Sequence, residues 1–357
     1  MPTKHAVDRI MSGSAWADFC DALKRAGAVI LRDGSPQDPF DRAEGFRYLS
    51  RLTRVALESY VEFADPLAPV LYRPAHETVK IGADNPDNYY QRAAISGHHE
   101  YRIWGKRGTI HYLGFGTYAG HYGSAGRSGQ TGYLEGGDLH IEDPDGSFEI
   151  IVSRHSHTRN WLRMEPDTSS LIVRQTFQDR QAETLADLHI ERLGATERPL
   201  PVTPDDIDRG LAAASAYVAG TAALFADWAE GFAHRGVNQL HRLDAGVAAA
   251  AHGDPNICYF HSYWELGPDA ALVIETMPPR CEYWNFQLNN HWMESLDYRY
   301  FRVTINRHTA VYEPDGSVKI IVASDHAGFP LKQAVVDYLA SQGLAVTDAG
   351  PGTSEVP

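Results

Sequence analysis

Two separated segments of this chain repeat one strand-forming pattern. EDPDGSFEIIVSRH runs from Glu142 to His155, and YEPDGSVKIIVASDH runs from Tyr312 to His326. Each segment places a Pro-Asp-Gly turn before alternating and then apolar residues, which is typical of a hairpin that leads into a buried strand. HHEYRIWGKRG and FHSYWELGPDAAL, upstream of the two units, share an aromatic–polar–aromatic rhythm. The repeat predicts two homologous β halves that pack face to face, with chance similarity around a common turn as the alternative.

Helical patterns precede and separate the two β halves. In the first quarter of the chain, Leu49, Leu52 and Val55 recur at the spacing of one helix face. The Ala-rich stretch after the first β half opens with Thr203 as an N-cap and Pro204 at the first helical position. The sequence therefore predicts packing helices at the N-terminus and a helical insert between the halves.

The predicted fold class is α+β. It comprises a mainly antiparallel, jelly-roll-like β-sandwich of two internally repeated halves, with N-terminal and inserted helices and a short C-terminal strand–helix–strand unit. The predicted regions are an N-terminal helical region (1–95), a first β half (96–200), a helical insert (201–252), a second β half (253–323) and a C-terminal fragment (324–357).

Composition excludes several classes of partner. The 357 residues carry a formal net charge of -14, so there is no excess of Lys and Arg to displace counterions from nucleic acid or an anionic membrane. No apolar run reaches the length of a signal peptide or a membrane span, which predicts a cytoplasmic protein. Cys20, Cys258 and Cys281 are far apart, so we expect small buried apolar side chains rather than a disulfide framework or zinc site. No cofactor or metal is expected.

Strand alternation groups two sets of polar side chains. Residues two apart in a strand share a face, so one trio is His98, Glu100 and Arg102, and a second is His261, Tyr263 and Glu265. A histidine and a carboxylate on one face suit an acid–base pair or a metal site. The alternative is hydrogen-bonded polar residues on a solvated sheet face. Corresponding positions in the two halves favour one shared cleft.

The stretch from Cys281 to Val303 is the densest in aromatic and polar residues. Its alternation gives one apolar face and one amide-rich face that includes Asn289. An amide-rich face beside aromatic rings suits a saccharide or another polar ring, while a core strand with a wet polar face is the alternative. The binding candidates in this stretch are Asn289, His291, Trp292 and Tyr298.

Several separated motifs resemble a known bacterial family. They are KIGADNPDNYYQRAAISGHHEYRIWGKRG at 80–108, RNWLRM and LIVRQTFQD within 159–179, and EYWNFQLNNHWMESLDY at 282–298. This pattern resembles a domain-of-unknown-function family numbered twelve-fourteen, over about residues 40–322. The resemblance implies a β-sandwich core with helical additions and supplies no established reaction. The chain departs from the family's pattern after Ala323.

The C-terminal stretch resembles a different family. KIIVASDHAGFPLKQAVVDYLASQGLAVTDAGP, from Lys319 to Pro351, is similar to the amino-terminal unit of type B ribose-5-phosphate isomerase. The resemblance implies that Asp325 and His326 contact a sugar phosphate and assist ring opening. The catalytic base, the anion loop and the second histidine of that family would lie further downstream. We therefore interpret the tail as a fusion, a truncated frame or a recombination scar.

Three functions remain open from the sequence. The first is a cytoplasmic β-sandwich that binds a polar small molecule or saccharide, with processing of that ligand as an open alternative to binding alone. The second is an aldose–ketose isomerase relative with an incomplete active site, and the third is a non-enzymatic interaction module that forms a homo-oligomer. The catalytic candidates are His98, Glu100, Arg102, His261, Glu265 and His291. The substrate-binding candidates are Tyr263, Asn289, Trp292, Tyr298, Asp325 and His326.

Overall fold

Two four-stranded sheets of the first β half face each other across an apolar core. A computed structural model describes residues 2–122, 127–141, 144–195, 199–267 and 270–322. One sheet, here the floor sheet, has the order β1-β7-β3-β4, and the other, the outer sheet, has the order β6-β5-β2-β8. The strands are β1 (Asn88–Ala94), β2 (Tyr101–Lys106), β3 (Tyr112–Ala119), β4 (Gly129–Glu135), β5 (Ser147–Ser153), β6 (Trp161–Arg163), β7 (Thr168–Thr176) and β8 (Asp187–Arg192).

Strand alternation supplies the core between these sheets. Tyr101 and Ile103 on β2 point inward and are fully buried, as are Leu171 and Val173 on β7. Neighbouring strands pair antiparallel except β5 and β6, which are parallel. The predicted α+β class with mainly antiparallel sheets is confirmed.

The helices form a second layer on the far side of the floor sheet. They are α1 (Lys4–Ser12), α2 (Ser14–Ala26), α3 (Pro39–Leu57), α4 (Pro204–Arg235) and α5 (Ala245–Ala250), with a 3₁₀ turn at Gly27–Leu31 and a π turn at Glu58–Glu62. The apolar faces of α2, α3 and α4 share one core, which includes Phe19, Leu52 and Ala222. By length and composition α4 could span a membrane, but 56% of its most apolar window is buried inside the protein.

The start of α4 is a complete capping box. Thr203 Oγ1 accepts a hydrogen bond from the N–H of Asp206, and the Asp206 carboxylate accepts one from the N–H of Thr203. Pro204 follows at the first helical position, as predicted.

Replacing Thr203 by alanine is expected to lower the free energy of unfolding by about 1 kcal/mol, because an N–H of the first turn loses its acceptor. Urea denaturation measures the change. Thr203→Ser keeps the hydroxyl and serves as the control. Equal stability of the Ala and Ser variants would show that the capping hydroxyl contributes nothing.

The second β half is built from short ribbons. Its strands are β10 (Phe260–His261), β11 (Leu272–Thr276), β12 (Asn285–Gln287), β13 (Thr304–Asn306) and β14 (Val318–Val322), and a further short strand, β9 (His241–Arg242), comes from the region predicted as the helical insert. β9 pairs with β10, β11 with β14, and β12 with β13, all antiparallel. In the described part of the chain these ribbons do not join into a second pair of four-stranded sheets. The second half therefore does not repeat the architecture of the first, although the sequence repeat predicts that it should.

The two Pro-Asp-Gly turns nevertheless have the same local geometry. The carboxylate of Asp145 accepts from the N–H of Ser147, as that of Asp315 accepts from the N–H of Ser317. The intervening glycine has a φ of 81° in the first turn and 86° in the second, a left-handed conformation that favours glycine. The turn is repeated, but its surroundings are not.

The strand that pairs with β14 is β11, whereas the FHSYWELG segment contributes its short strand β10 to β9. One smaller expectation is wrong. Cys20, Cys258 and Cys281 are free thiols on the surface rather than buried apolar residues. The predicted C-terminal fragment, with Asp325 and His326, lies outside the described residues.

Candidate functional site

The first predicted trio lies on the solvent side of the outer sheet. Because Tyr101 and Ile103 point into the core, Arg102 between them points outward, where it pairs with Glu149 and Glu191. These three carboxylate and guanidinium groups form a surface network.

The other two members of that trio are equally remote from a cleft. Glu100 accepts a hydrogen bond from Ser153 Oγ and faces His157 at 3.8 Å. His98 is exposed. The structure does not bring this trio to the second one, so the shared cleft is not formed.

The second trio lies beside a cavity. The His261 ring stacks on Phe232 at 4.8 Å, and burial lowers its pKa to about 4. The hydroxyl of Tyr263 lies 3.2 Å from His291 Nδ1, and burial lowers the pKa of His291 to about 4 as well. Glu265 is exposed at the rim. Five predicted residues of the second half therefore line this cavity: His261, Tyr263, Glu265, Asn289 and His291.

The predicted amide-rich face exists, but its donors are already used. Gln287 Nε2 donates to the carbonyl oxygens of Ala83 and Asp84 and to Asn289 Oδ1. Asn285 Nδ2 donates to Asn85 Oδ1 and to Gln287 Oε1. These side chains fasten the second half to residues 83–85, which limits what they can offer a ligand.

Two predicted binding residues contact other parts of the protein instead of the cavity. Trp292 is 1% exposed, stacks against Tyr48, and donates its indole N–H to the carbonyl oxygen of Asp41. The Tyr298 ring lies 4.8 Å from Lys80 Nζ. Neither residue lines the cavity.

The cavity itself measures about 2640 Å³ and lies between the floor sheet, α4 and the second β half. Ligand sites usually enclose about 300–1,000 Å³, so this space exceeds one small molecule. Its walls include Tyr122, Phe225, Trp228, Phe232, Tyr259 and His261. The described residues contain no group of three or more His, Cys, Asp or Glu side chains that could hold a metal ion.

The floor of the cavity is the face of the floor sheet opposite its core. Tyr90 on β1 pairs with Arg174 on β7, and Arg92 pairs with Ile172. Because Leu171 and Val173 face the core, these four alternate residues face the cavity. Two positively charged side chains therefore lie on the cavity side of adjacent strands.

Glycines on β3 make room for aromatic rings on this floor. A Cβ on Gly114 would lie 2.5 Å from the hydroxyl of Tyr133, and one on Gly116 would lie 2.5 Å from that of Tyr118. Larger residues would push these rings out of place. The floor is thus shaped for tyrosines lying across the sheet.

Arg174 is buried and held by neutral groups. Its Nη1 donates to Tyr118 Oη at 2.9 Å, and its Nη2 donates to the carbonyl oxygen of His252 at 2.5 Å. Burial by itself would lower the pKa of this guanidinium, but the nearby tyrosines and Asp254 raise it well above its usual value, so Arg174 remains charged.

Arg92 is held more loosely. Its Nη1 lies 3.4 Å from Tyr72 Oη, and its guanidinium lies 5.5 Å from the centre of the Tyr60 ring. Neither Arg92 nor Arg174 forms an ion pair with a carboxylate of the described residues. Arg174 is buried and Arg92 is partly buried, and cations without carboxylate partners are unusual in such positions.

A histidine is packed between these arginines and the aromatic wall. His252 stacks on Tyr118 at 4.8 Å and contacts Tyr122 at 5.4 Å. Burial, Arg92 and Arg174 lower its pKa to about 3, so the ring is neutral at pH 7. The two arginines therefore face a neutral histidine and not a counter-charge.

A buried carboxylate near this cluster has other partners. Asp254 is 2% exposed, and its Oδ2 accepts hydrogen bonds from Tyr112 and Tyr133, each at 2.9 Å. Its Oδ1 accepts from the N–H of Asn256. Asp254 thereby ties the loop after α5 to the floor sheet.

Backbone strain is concentrated around the cavity. In the described part of the chain, four non-glycine residues have a left-handed φ: Ala83 (57°), Asn238 (60°), His252 (57°) and Met293 (56°). All four line the cavity. Such conformations cost of order 1–3 kcal/mol each and often occur at functional sites.

A buried cluster of charges closes one end of the cavity. Arg51 and Glu294 form an ion pair of 2.6 Å, with side chains 10% and 1% exposed. Asp84 accepts from the N–H and hydroxyl of Ser295, and burial raises its pKa to about 6. Lys80 Nζ donates to the carbonyl oxygens of Ser295 and the next residue. This cluster holds the 290–297 loop in place.

Arg92 and Arg174 were missed by sequence reasoning, although a signal was present. Both lie inside strand patterns, in NYYQRAA and in TSSLIVRQT. An arginine in the middle of a strand must either face solvent or have a buried role. One face of β7 covers the sandwich core, and the other face is buried beneath α4. An arginine on that second face therefore has a buried role rather than a solvent-facing one.

A solved structure is similar to most of this chain. The crystal structure of an uncharacterised protein from Burkholderia cenocepacia matches it with 53% sequence identity and a TM-score of 0.86, covering 88% of each chain. The chain belongs to the same family. The VPA0106 protein from Vibrio parahaemolyticus matches 78% of this chain and 86% of its own length, with 12% identity and a TM-score of 0.36, which is too remote to establish a shared fold.

No family model and no curated protein matches the chain. The resemblances to the family numbered twelve-fourteen and to the isomerase therefore stay predictions. The relative from Burkholderia supports the fold and leaves the activity open.

Proposed function

We propose that this protein binds a small organic molecule in the cavity above the floor sheet. The observation that carries the proposal is a pair of arginines beneath a large, aromatic-walled space, one buried (Arg174) and one partly buried (Arg92), neither of which forms an ion pair with a carboxylate of the described residues. Binding sites typically combine apolar walls with a few fixed polar groups. The strained residues around the same space add support, because strain is retained where function requires it.

The chemistry of the walls favours an aromatic or apolar body over a saccharide. A saccharide needs many free hydrogen-bond donors and acceptors, but the amides of Asn285 and Gln287 are bonded to the protein. Phe225, Trp228 and Phe232 offer ring surface instead.

The other candidate functions have less support. The isomerase alternative depends on Asp325 and His326, which lie outside the described residues. The interaction-module alternative predicts an apolar patch without a pocket, whereas the described residues contain a large cavity. We propose no reaction.

A neutral dye tests the proposal. Nile red is expected to bind the wild-type protein on the floor of the cavity, and Ile172→Trp should weaken this binding at least about tenfold, because the indole occupies the part of the floor that Ile172 lines. Ile172→Val, which leaves the space open, serves as the control. Fluorescence titration measures both.

Two outcomes would overturn the proposal. One is the absence of dye binding to the wild-type protein. The other is equal dye affinity for the wild type, Ile172→Trp and Ile172→Val, because dye on an exposed apolar patch is indifferent to residue 172.

A further inference from the structure

We propose that the ligand of this cavity is an organic anion whose carboxylate or phosphate is held by Arg92 and Arg174. The inference rests on the proposed function, since it names the chemical class of ligand for the same cavity. It starts from charge: among the described residues, neither guanidinium has a carboxylate within ion-pair distance.

The position of the two arginines suits one shared anion. Arg92 pairs in register with Ile172, and Arg174 lies two residues further along the same strand. Such diagonal neighbours on one sheet face are separated by about 7–8 Å, which long side chains can bridge. Two guanidinium groups can therefore converge on one ligand group above the floor.

Both side chains are oriented and still have free donors. Arg174 is fixed by Tyr118 and by the carbonyl oxygen of His252, and Arg92 by Tyr72 and the ring of Tyr60. Each guanidinium has five N–H donors, so most of them have no acceptor in the described part of the protein. The planar fork of arginine matches the geometry of carboxylates and phosphates.

The surrounding groups do not neutralise the pair. His252 is neutral at pH 7, and burial also lowers the pKa of His121. Two carboxylates lie nearby: Asp254 accepts from Tyr112, Tyr133 and Asn256, and Glu135, which lines the floor in the same cross-strand row as Arg174, accepts from Asn256 Nδ2. Neither forms an ion pair with Arg92 or Arg174 in the described part of the chain, so the two guanidinium groups lack a direct counter-charge, which a ligand anion would supply.

Aromatic rings lead away from this charge along one wall. Successive ring contacts link His252 to Tyr122 at 5.4 Å, Tyr122 to Phe225 at 5.2 Å and Phe225 to Trp228 at 5.7 Å. Trp228 then contacts Phe232, which stacks on His261. A ligand with an anionic head at the arginines would lay an aromatic or apolar body along these rings.

Matched naphthalene probes separate charge from shape. Displacement of Nile red at pH 8 compares 2-naphthoate and 2-naphthyl phosphate with the neutral 2-naphthamide. At least one anion is expected to bind roughly 10- to 100-fold more tightly than the amide, because hydrogen bonds from the arginines to a charged group are stronger than those to a neutral one. The relative strength of the two anions distinguishes a carboxylate ligand from a phosphate ligand.

Variants locate the effect. Arg92→Gln and Arg174→Gln should each reduce the affinity for the anions about tenfold or more relative to the affinity for 2-naphthamide. Arg102→Gln removes an arginine from the outer sheet and should change nothing. If Arg174→Gln alone loses Nile red binding, the substitution has disturbed the cavity through His252. In that case the anion affinity of Arg92→Gln decides whether the anion site exists.

The failure of this inference differs from failure of the proposed function. Equal affinity for the anions and the amide, or anion affinity unchanged in Arg92→Gln, overturns the anion site while Nile red binding still supports the cavity as a ligand site. Absence of Nile red binding to the wild-type protein overturns both the anion site and the proposed function.

Discussion

Replacing Arg51 by methionine is expected to lower the free energy of unfolding by about 3–5 kcal/mol at pH 7.5. The substitution leaves Glu294 buried without its ion-pair partner, and removal of one member of a buried pair is more damaging than loss of a surface pair. Methionine fills similar volume, so the lost charge dominates the loss of stability.

The effect of Arg51→Met should depend on pH in a defined direction. Burial raises the pKa of Glu294 in the folded protein, and Arg51 opposes this rise. A carboxyl with a raised folded-state pKa binds its proton more tightly when folded, so stability falls as pH rises above the unfolded pKa of about 4.3. Without Arg51 the folded-state pKa rises further. The destabilisation should therefore be largest at neutral pH and shrink towards pH 5.

Urea denaturation at pH 5 and pH 7.5 measures both effects. Arg47→Met is a matched control, because Arg47 lies on the same helix and pairs with Glu44 at the surface. Such surface pairs contribute about 0–1 kcal/mol. Equal losses for the two variants, or a loss independent of pH, would show that the Arg51–Glu294 pair is not a buried charge pair in solution.

Local patterns predicted the parts of the fold that depend on local interactions. The Pro-Asp-Gly turns close as expected, because an aspartate that accepts from the residue two positions later needs only a glycine between them. The Thr203 cap is equally local. The first sandwich follows from strands long enough for alternation to identify an inner face.

The second half could not be predicted in the same way. Its strands have two to five residues, too few for periodicity to indicate which face is buried. The partner of β14 is chosen by packing between distant segments. Similar turns therefore led to an expectation of similar halves, and tertiary contacts decided otherwise.

Strand alternation also explains why the candidate site was only partly predicted. It correctly groups residues that share a face, but it does not say which face of a sheet is covered by another layer. For His98, Glu100 and Arg102 that face is solvent. For Arg92 and Arg174 it is the cavity, because α4 and the second half cover the floor sheet. Only the packing of layers distinguishes these two cases.

Acidification is expected to destabilise the protein through His252. Its pKa is about 3 in the folded protein, against about 6.5 in an unfolded chain. Below pH 6.5 the unfolded state binds the extra proton and the folded state does not. The sign is therefore the reverse of that for Glu294: stability is fully present above about pH 7 and is lost as pH falls towards 3.

The expected size follows from the same two pKa values. Between pH 8 and pH 5, the His252 ring alone should remove about 2 kcal/mol from the free energy of unfolding. Arg92 and Arg174 contribute to this loss because they oppose a third positive charge beside them. Asp84, with a raised pKa of about 6, acts in the opposite direction over the same range and offsets part of the loss in the wild type.

Comparison with His252→Asn isolates the histidine. Asparagine tolerates the left-handed φ of 57° at this position and does not titrate. The variant should be less stable than the wild type at pH 8, because the ring contacts with Tyr118 and Tyr122 are lost. The difference in the free energy of unfolding between wild type and His252→Asn should narrow by about 2 kcal/mol at pH 5, because only the wild type loses the contribution of the histidine. Asp84 titrates in both proteins, so its contribution cancels in the comparison. Parallel stability curves for His252→Asn and wild type would mean that His252 is protonated equally in the folded and unfolded states.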